Sequence, residues 1–552
     1  MTKPSFLSWC ICVLVCSGLI NTAVDAYAKN PTTGNVTGIK NYAVYLIQNN
    51  AHKGFMQVSG NIYYNEKYSD GGKIVLNKTE YFKGELAGWQ QWYIIYNKTV
   101  KGVKYYYIRN VFSGKLLDVP HGASGTKTQL QQYFKTDSLS DDELWSIRRV
   151  GASNEFHIIN KKTGLALGSA IDTTNEIPVM LESLKNDESQ QWSFIPQPAV
   201  SYRDDEVVRF FNRNNNKLGS VAFDEGMSIP LHYGTNKGKV LWVTQDAWDG
   251  DALLPNNQFN CNSVFEYRNS IIIQPSLTDW NPNRTLNIIR NGSMQNHPKQ
   301  ICDIMPNTEY AWPAAGVEIG NHVYIQCGEG NGLEAPKSQS LYDLTESSGN
   351  LWEVKRTVPA GMGTGLSVSY GAGMVKSNDG YVYVFGTKAK NYGYALNLYV
   401  ARFPVTNPQL WTFWNGSSWS KTPVWDDSAK ITEGLGPASV AYIHNKYVMI
   451  TMDQGFNCDS LRNIYVAVSD NPTGPFTVRK KVYSICEYMY GSYARYYTSA
   501  IHPEFENGHD ELLVTYCLNF SGCGLNSCKD GYLNPYFYRV KGIRIPCTLI
   551  GL

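Results

Sequence analysis

The sequence has few charged residues and almost no charge imbalance. Only 17% of its 552 residues are charged, and 49 basic against 47 acidic residues leave a net charge of +2. This balance gives no basic stripe for nucleic acid and no polybasic segment for an anionic membrane surface. A hydrophobic content of 43% argues against disorder and suffices for two or three domains. We therefore expect a neutral or weakly charged partner.

Long hydrophobic runs are missing after the N-terminus. The one such run, Phe6 to Ile20, follows a lysine and precedes Ala26 and Ala28 in an Ala-x-Ala arrangement, which is typical of a cleaved signal peptide. We predict a signal peptide over residues 1–28 and a secreted mature chain without a membrane span. An uncleaved anchor is the alternative, although the run is shorter than the ~20 apolar residues that a bilayer requires. Sequons that support a secreted glycoprotein begin at Asn35, Asn77, Asn97, Asn283, Asn291, Asn415 and Asn519.

Cysteine is absent between the predicted signal peptide and Cys261. The mature chain then contains Cys261, Cys302, Cys327, Cys458, Cys486, Cys517, Cys523, Cys528 and Cys547. In an oxidising compartment these residues are expected to form disulfides of undetermined connectivity, and the odd count leaves one thiol free or paired elsewhere. No Cys-x-x-Cys pair or histidine-rich tract gives zinc-ligand spacing, so no metal site is predicted.

The abundant residues favour an all-β protein. The chain has 48 Gly, 38 Tyr and 14 Trp, and aromatic residues fit pleated sheets while glycine marks the turns. Three units end in Trp92, Trp145 and Trp192, which lie 53 and 47 residues apart. Each unit begins with a strand-like stretch, at 45–49, 107–110 and 156–160, so the whole unit repeats.

These units, with Gln-x-Trp in the first and third, resemble the ricin B-type lectin family over residues 40–197. The resemblance implies a carbohydrate-binding β-trefoil. In the middle unit, residues 116–119 (Leu-Leu-Asp-Val) are similar to the family's sugar pocket, so Asp118 and Tyr133 are implied to bind sugar, with Asp142 as a second polar contact. Glu143 stands where the family has Gln. The first and third units lack the carboxylate, and a trefoil that binds nothing is the alternative.

A longer period begins after a short linker at 195–198. Strand-turn-strand units recur around Ile229, Val317, Met374, Val440 and Ile501, and an insertion at 256–290 lengthens the first interval. Turn sequences such as those at 320–321, 378–380 and 444–445 separate apolar alternations. The five units predict a five-bladed β-propeller over residues 201–552. A large β-sandwich is the alternative, but it gives no reason for the recurrence.

In a propeller the innermost strands start near the central axis, so functional residues are expected just before the repeated strands. The candidates are Asp224 and Asp246 in blade one, Trp312 in blade two, Tyr370 in blade three and Glu433 in blade four. Carboxylates among aromatics suit a glycosidase, because one acid protonates the leaving oxygen, a second carboxylate acts as base or nucleophile, and aromatic faces stack on sugars. Turn capping by the aspartates and core packing by Trp312 are the structural alternatives.

Residues 223–231 (Phe-Asp-Glu-Gly-Met-Ser-Ile-Pro-Leu) and 241–246 (Leu-Trp-Val-Thr-Gln-Asp) are similar to motifs of secreted five-bladed propellers, some of which are endo-D-arabinanases. That resemblance implies that Asp224 and Asp246 are the catalytic pair, although Gln245 replaces a common Gly. A more distant resemblance to glycoside hydrolase family 43 implies Glu433 as an alternative acid. It also implies that His502 could support a structural calcium ion, and no other cofactor is expected.

Together these features predict a secreted glycoside hydrolase that cleaves an extracellular, arabinan-like polysaccharide, with the trefoil holding it on glycan. The alternative is a non-catalytic two-domain lectin. An enzyme requires two carboxylates placed across the sugar, one with a raised pKa, whereas a lectin requires neither.

Overall fold

A computed structural model describes residues 38–136, 140–170, 176–332, 335–363, 367–390, 395–458 and 460–552. The predicted signal peptide and the sequon at Asn35 lie outside these residues. Within the described ranges one α-helix, Asp205–Phe211, accompanies many strands, and the prediction of an all-β protein is confirmed. None of the helices in this part of the chain has the length and apolarity needed to cross a membrane.

The N-terminal domain is a β-trefoil whose main sheet contains twelve strands. Its strands are β1 (Ala43–Asn49), β2 (Phe55–Val58), β3 (Ile74–Asn77), β4 (Tyr81–Phe82), β5 (Glu85–Leu86), β6 (Gln91–Val100), β7 (Val103–Asn110), β8 (Leu116–Asp118), β9 (Gln131–Tyr133), β10 (Trp145–Arg149), β11 (Phe156–Asn160), β12 (Ala166–Ser169), β13 (Ile177–Glu182) and β14 (Trp192–Gln197). The three predicted repeats are present. Strands β1 to β3 with β6 form the first, β7 to β10 the second, and β11 to β14 the third.

The three repeated tryptophans set the threefold register. Trp92, Trp145 and Trp192 are fully buried in one core cluster. Their indole N–H groups donate to the carbonyls of Met56, Leu117 and Leu167, at 2.9, 3.0 and 3.1 Å. Since these carbonyls are equivalent, the residue that follows each is equivalent too. Asp118 therefore corresponds to Gln57 in the first repeat and Gly168 in the third.

We expect Trp145→Phe to destabilise the trefoil by about 2–3 kcal/mol. The smaller ring leaves a cavity, and the buried Leu117 carbonyl loses its donor. The effect is measured by chemical denaturation, monitored through the loss of the spectroscopic signal of the folded trefoil. Trp414→Phe, at a half-buried propeller position, is the control. An unchanged unfolding midpoint would show that the indole hydrogen bond is dispensable.

The C-terminal domain is a ring of five sheets. Its strands are β15 (Tyr202–Arg203), β16 (Ser220–Pro230), β17 (Val240–Asp249), β18 (Phe259–Asn260), β19 (Tyr267–Gln274), β20 (Leu286–Asn287), β21 (Tyr310–Ile319), β22 (His322–Gly330), β23 (Ser338–Ser348), β24 (Leu351–Thr357), β25 (Ser369–Lys376), β26 (Tyr381–Lys390), β27 (Ala395–Pro404), β28 (Thr412–Trp414), β29 (Trp419–Ser420), β30 (Thr432–Gly434), β31 (Ala438–Ile443), β32 (Lys446–Met452), β33 (Asn463–Ser469), β34 (Lys480–Ser484), β35 (Tyr488–Met489), β36 (Ser492–His502), β37 (Glu511–Gly522), β38 (Tyr532–Leu533) and β39 (Val540–Pro546).

Five inner strands close the ring, as predicted. The strands β16, β21, β25, β31 and β36 each contact the next, and β36 contacts β16. Each contains one of the recurring positions identified in the sequence, and each is followed by its outer strands in the same sheet. Blade five is completed by β15 from the start of the domain, which pairs with β39. This pairing joins the two ends of the propeller sequence.

Two sequence expectations about connections require correction. Residues 195–197 belong to β14, because they pair with β1, so the linker is limited to 198–201. The proposed insertion at 256–290 contains β19 and β20, which complete blade one. The true extension, at 250–266, includes β18, which pairs with β38 of the blade-five loop.

The cysteines form fewer disulfides than the odd count suggested. Cys261 bonds to Cys528 and Cys458 to Cys523, and both bonds tie a neighbouring blade to the loop that follows β37. The other cysteines are buried free thiols: Cys302, Cys327, Cys486, Cys517 and Cys547.

The two domains meet at blade five. The Asn65 amide donates to the Tyr488 carbonyl and accepts from the Tyr488 N–H at 3.0 Å, and Tyr488 is part of the trefoil core cluster. On the other side of the linker, Lys115 of the trefoil forms a buried ion pair with Asp205 of the helix, at 3.0 Å. Polar and apolar contacts therefore hold the trefoil against the propeller.

Candidate functional site

A β-bulge brings the two blade-one aspartates together. In the pairing of β16 with β17, Phe223 faces Ala247 and Glu225 faces Thr244, so Asp224 alone faces two residues, one of which is Asp246. A bulge of this kind changes the direction of the side chains around it. Glu225 has a φ of +65°, a left-handed conformation that favours glycine, so the backbone is strained at this point.

Asp224 is a buried carboxyl held by two tyrosines. The Tyr497 hydroxyl, from β36, and the Tyr538 hydroxyl, from the 3₁₀ helix Pro535–Tyr538, donate to its Oδ2 atom at 2.8 and 3.1 Å. Within the described residues its Oδ1 atom is buried without a hydrogen-bond partner. Burial, and then the charge of Asp246, raise the pKa of Asp224 to about 7, against the lowering effect of the tyrosine hydroxyls.

The surroundings of Asp246 stabilise its ionised form more strongly than the surroundings of Asp224 do. The Arg268 guanidinium donates to both carboxylate oxygens, at 3.2 and 3.3 Å, and the Trp312 indole N–H donates to Oδ1 at 3.1 Å. Burial raises the pKa of Asp246, while Trp312 and Arg268 oppose that rise. The cation beside Asp246 and its absence beside Asp224 favour a proton on Asp224 and a charge on Asp246.

The aromatic candidates differ in position. Trp312 is half-buried, stacks on Tyr310 with ring centroids 3.7 Å apart, and holds Asp246 through its indole N–H. Tyr370 is 1% exposed and packs against Trp411 and Phe413 between blades, so its ring face is not open to a sugar. The assignment of Tyr370 as a sugar-binding residue is therefore wrong in this structure, because its side chain fills the core.

Glu433, the alternative acid, has the wrong environment. It lies in β30, which pairs with β27 of blade three and not with the blade-four strands. Its carboxylate pairs with Lys430 at 2.6 Å and Lys390 at 3.2 Å, and these ammonium groups lower its pKa. Two lysines beside a half-exposed carboxylate favour its ionised form, so this environment does not support the role of general acid, which stays a prediction.

His502 has both ring nitrogens occupied by protein hydroxyls. Its Nδ1 atom lies 2.6 Å from Ser228 Oγ and its Nε2 atom 2.8 Å from Thr515 Oγ1. Burial lowers the pKa of His502 to about 3, so the ring is neutral. The histidine thus links β16, β36 and β37, and a structural calcium ion near it stays a prediction.

In the trefoil, Asp118 and Tyr133 share one face of the sheet. Asp118 faces Gln131 and Leu116 faces Tyr133, so all four side chains point to the same side of the β8–β9 pair. The Gln131 amide donates to Asp118 Oδ2 at 2.7 Å. Asp118 is 6% exposed and Tyr133 half-buried. Their common face is the arrangement expected of a carboxylate beside an aromatic platform.

Asp142 is part of a separate polar cluster. Its Oδ2 atom accepts from Lys162 at 3.0 Å and from the Ser140 hydroxyl at 2.9 Å. Gly122, at a φ of +66°, lies against this ion pair, because an added Cβ would lie 3.4 Å from the Asp142 carboxylate. A second polar contact to sugar would therefore come from a carboxylate already paired with lysine.

Glu143 replaces the glutamine of the other repeats and, among the described residues, keeps only the accepting part of its hydrogen bonding. Gln90 and Gln190 each accept from a backbone N–H and donate to a carbonyl. Glu143 keeps the first bond, from Thr136 at 3.2 Å. Burial, with a smaller contribution from the charge of Asp118, raises the pKa of Glu143 to about 7.

We therefore expect Glu143→Gln to stabilise the trefoil above neutral pH. A folded-state pKa above the unfolded value means that wild-type stability is lost as pH rises from about 4.5 through about 7. The difference between variant and wild type should grow between pH 5 and pH 8 in thermal unfolding. The exposed Glu188→Gln serves as control, and a pH-independent difference would show that Glu143 is ionised in the folded state throughout.

Sequence reasoning missed the residues that hold the aspartates. Arg268 lies in β19, and Tyr538 lies in a loop more than 300 positions from Asp224. Tyr497 lies in β36, the inner strand of blade five, for which no sugar-site candidate was named. The one sequence feature that could have indicated Arg268 is its position in β19, the third strand of blade one, directly beside Asp246 in the sheet.

The trefoil and the ring of five sheets define a two-domain all-β protein with a lectin-type N-terminal domain. Residues 88–182 match the ricin-type β-trefoil lectin domain-like family, a class of domain that binds carbohydrate. Residues 204–543, more than half of the chain, match the family described as "Domain of unknown function (DUF5005)", and the chain belongs to that family. No curated protein matches the chain. The resemblance to endo-D-arabinanase propellers stays a prediction.

Several solved structures are similar to about 30% of the chain. The Macrolepiota procera ricin B-like lectin, in complex with lactose, is 22% identical over 29% of this chain and 100% of that chain, with a TM-score of 0.23. The Polyporus squamosus lectin is 18% identical over 32% and 55%, with a TM-score of 0.23. An exo-β-1,3-galactanase from Clostridium thermocellum is 22% identical over 29% and 31%, with a TM-score of 0.24.

Proposed function

We propose that the propeller is a glycoside hydrolase and that Asp224 and Asp246 form its acid–base pair. The observation that supports this most strongly is the asymmetry of two adjacent buried carboxyls. The pKa of Asp224 is raised to about 7, whereas Asp246 is paired with Arg268. Such a pair supplies one proton donor and one carboxylate near neutral pH.

Each carboxyl has a distinct role in this proposal. Asp224 protonates the glycosidic oxygen as the bond to the anomeric carbon breaks, and Tyr497 and Tyr538 hold its other oxygen in place. Asp246 acts as the base or nucleophile, and Arg268 keeps it ionised. Trp312 fixes Asp246 through its indole N–H and, stacked on the buried Tyr310, offers the exposed part of its own ring to a sugar.

The trefoil is proposed to hold the enzyme on its substrate. Asp118 and Tyr133 form the glycan site, and binding there raises the local concentration of chain ends or branches near the propeller. We expect the substrate to be an extracellular, uncharged polysaccharide, arabinan-like in its furanose units, and the protein to be secreted. The near-zero net charge agrees with a neutral polymer.

A non-catalytic two-domain lectin is the second candidate. It is favoured by the low exposure of Asp224 and Asp246, each 7% exposed, and by the hydrogen bonds that surround them. In that case the carboxyls and their tyrosine and arginine partners hold blades one and five together.

One experiment separates the two candidates. The purified protein is incubated with arabinans, arabinogalactans, xylans and galactans, and reducing ends and polymer binding are measured in parallel for wild type and Asp118→Ala. Hydrolase function predicts reducing-end release, reduced but not abolished by Asp118→Ala. Binding that Asp118→Ala removes, without release from any polymer, supports the lectin.

The pH profile should follow the protonation of Asp224. Because the general acid must be protonated, kcat/KM should fall as pH rises through about 7. Tyr538→Phe removes a donor that lowers this pKa, so the alkaline limb should move to higher pH. The exposed Tyr442→Phe is the control. A limb that stays in place with Tyr538→Phe would show that another group sets it.

A further inference from the structure

Three side chains of different donor type meet at the rim of blades four and five. His444 lies in the turn between β31 and β32, Asp510 in the turn between β36 and β37, and Cys547 at the start of the 3₁₀ helix Cys547–Leu549. One donor atom from each lies within 4.8 Å of the others. Glu506 extends the group, since its Oε1 atom is 3.8 Å from His444 Nε2.

Backbone geometry positions these donors without a metal ion. His444 and Asn445 have φ values of +47° and +63°, as in a tight two-residue hairpin turn. Asp510 has a φ of +58°, and its carbonyl accepts from the Cys547 N–H at 2.9 Å. The turn and the backbone bond thus place the carboxylate and the thiol side by side before any ligand binds.

The cluster has acidic charge that no lysine or arginine pairs. Among the described residues, the ion pairs of Glu506 and Asp510 are both with His444, at 3.8 and 3.5 Å. A second group, Asp249 with Glu266 and His297, contrasts with it, because Lys299 already pairs with Asp249 there. Among the described residues, the first group therefore has no lysine or arginine counter-ion, and the second group has one.

We propose that His444, Asp510 and Cys547 bind a zinc ion, with Glu506 as the fourth ligand. Zinc accepts sulfur, imidazole nitrogen and carboxylate oxygen together in a four-coordinate site, whereas calcium and magnesium prefer oxygen alone. On binding, the Cys547 thiol releases its proton to solvent and its sulfur bonds to the metal. The ion joins blade four, blade five and the C-terminal turn, where the two disulfides do not reach.

Metal content tests the site directly. The full chain, purified without metal-affinity resin, is equilibrated with zinc, dialysed and measured by elemental mass spectrometry. We expect about one tightly held zinc per chain, lost in Cys547→Ser, His444→Ala and Asp510→Asn. The matched control is His322→Ala, because His322 of β22 in blade two also pairs with an aspartate, Asp343 at 2.7 Å, but belongs to no three-donor group among the described residues. It should retain the metal.

Cobalt substitution identifies the sulfur ligand. The cobalt-loaded wild type should show a thiolate-to-cobalt charge-transfer band that Cys547→Ser lacks, and zinc should raise the Tm of wild type but not of Asp510→Asn. Circular dichroism shows whether each variant is folded. Absence of zinc from wild type, or its retention in folded Cys547→Ser, would overturn the proposal. Loss of zinc in His297→Ala, with zinc retained in the Cys547, His444 and Asp510 variants, would place the metal at the second group instead.

Discussion

Asp224→Asn and Asp246→Asn should each lower polysaccharide turnover by about 10²–10⁴-fold, the contribution typical of a positioned general acid or base. The amide keeps the shape of the carboxyl, so the Asp224 variant can still accept from Tyr497 and Tyr538. It cannot supply the proton. Initial rates of reducing-end release at saturating polymer measure the loss in turnover.

The control for this prediction is Glu433→Gln. Glu433 is half-exposed, is paired with two lysines, and lies in a blade-three sheet, so its replacement should leave turnover within about twofold of wild type. Full activity in both aspartate variants, with loss in Glu433→Gln, would assign the acid to Glu433 and contradict the blade-one site. Circular dichroism of all three variants separates lost chemistry from lost folding.

Arg203→Met should destabilise the protein by about 3–5 kcal/mol, because it leaves a buried carboxylate without its counter-ion. Arg203 and Glu487 form an ion pair and are 2% and 0% exposed. Arg203 also covers the Tyr68 ring of the trefoil at 4.4 Å and donates to the Tyr536 hydroxyl at 3.2 Å. It therefore connects the ring-closing strand, blade five and the trefoil.

A double-mutant cycle tests the cause of this effect. Glu487→Gln alone should be less costly than Arg203→Met, and Arg203→Met with Glu487→Gln should recover much of the lost stability, because the carboxylate is removed together with its guanidinium partner. Urea denaturation of the four proteins gives the coupling. Additive effects in the double variant would show that Arg203 acts through packing on Tyr68 and not through the ion pair.

The sequence contained most of the architecture, because the architecture is repeated. Each inner strand of the propeller holds a recurring apolar position, and the tryptophans of the trefoil recur with their carbonyl partners. A period survives in the sequence even when single strands are ambiguous. The linker was misplaced because Pro196 and Pro198 suggested a break, although Pro196 pairs with Tyr45 of β1. The insertion was misplaced because β20 is two residues long and has no pattern of its own.

The site was predictable only in part. Asp224 and Asp246 came from a motif resemblance and lie in adjacent strands, so their proximity follows from local pairing. Tyr497 and Tyr538 reach Asp224 only through closure of the ring, across more than 270 positions of sequence. Tyr370 was misassigned because a position near the axis does not determine whether a side chain faces the funnel or the space between blades.

The proposed zinc ligands could not be predicted from the sequence either. His444, Asp510 and Cys547 come from two turns and the C-terminal segment, so no ligand spacing in the sequence resembles a metal motif. Reasoning from spacing therefore predicted no metal site. The turns of neighbouring blades place these groups together only after the ring has formed.

A crystal structure of Asp246→Asn with an arabinan oligosaccharide tests the central claim most directly. The account predicts a sugar bound over blade one, with a glycosidic oxygen within about 3.2 Å of an Asp224 carboxyl oxygen and a ring beside Trp312. An oligosaccharide bound only beside Asp118 and Tyr133, with Asp224 still enclosed by Tyr497 and Tyr538, would contradict the hydrolase and leave the two-domain lectin.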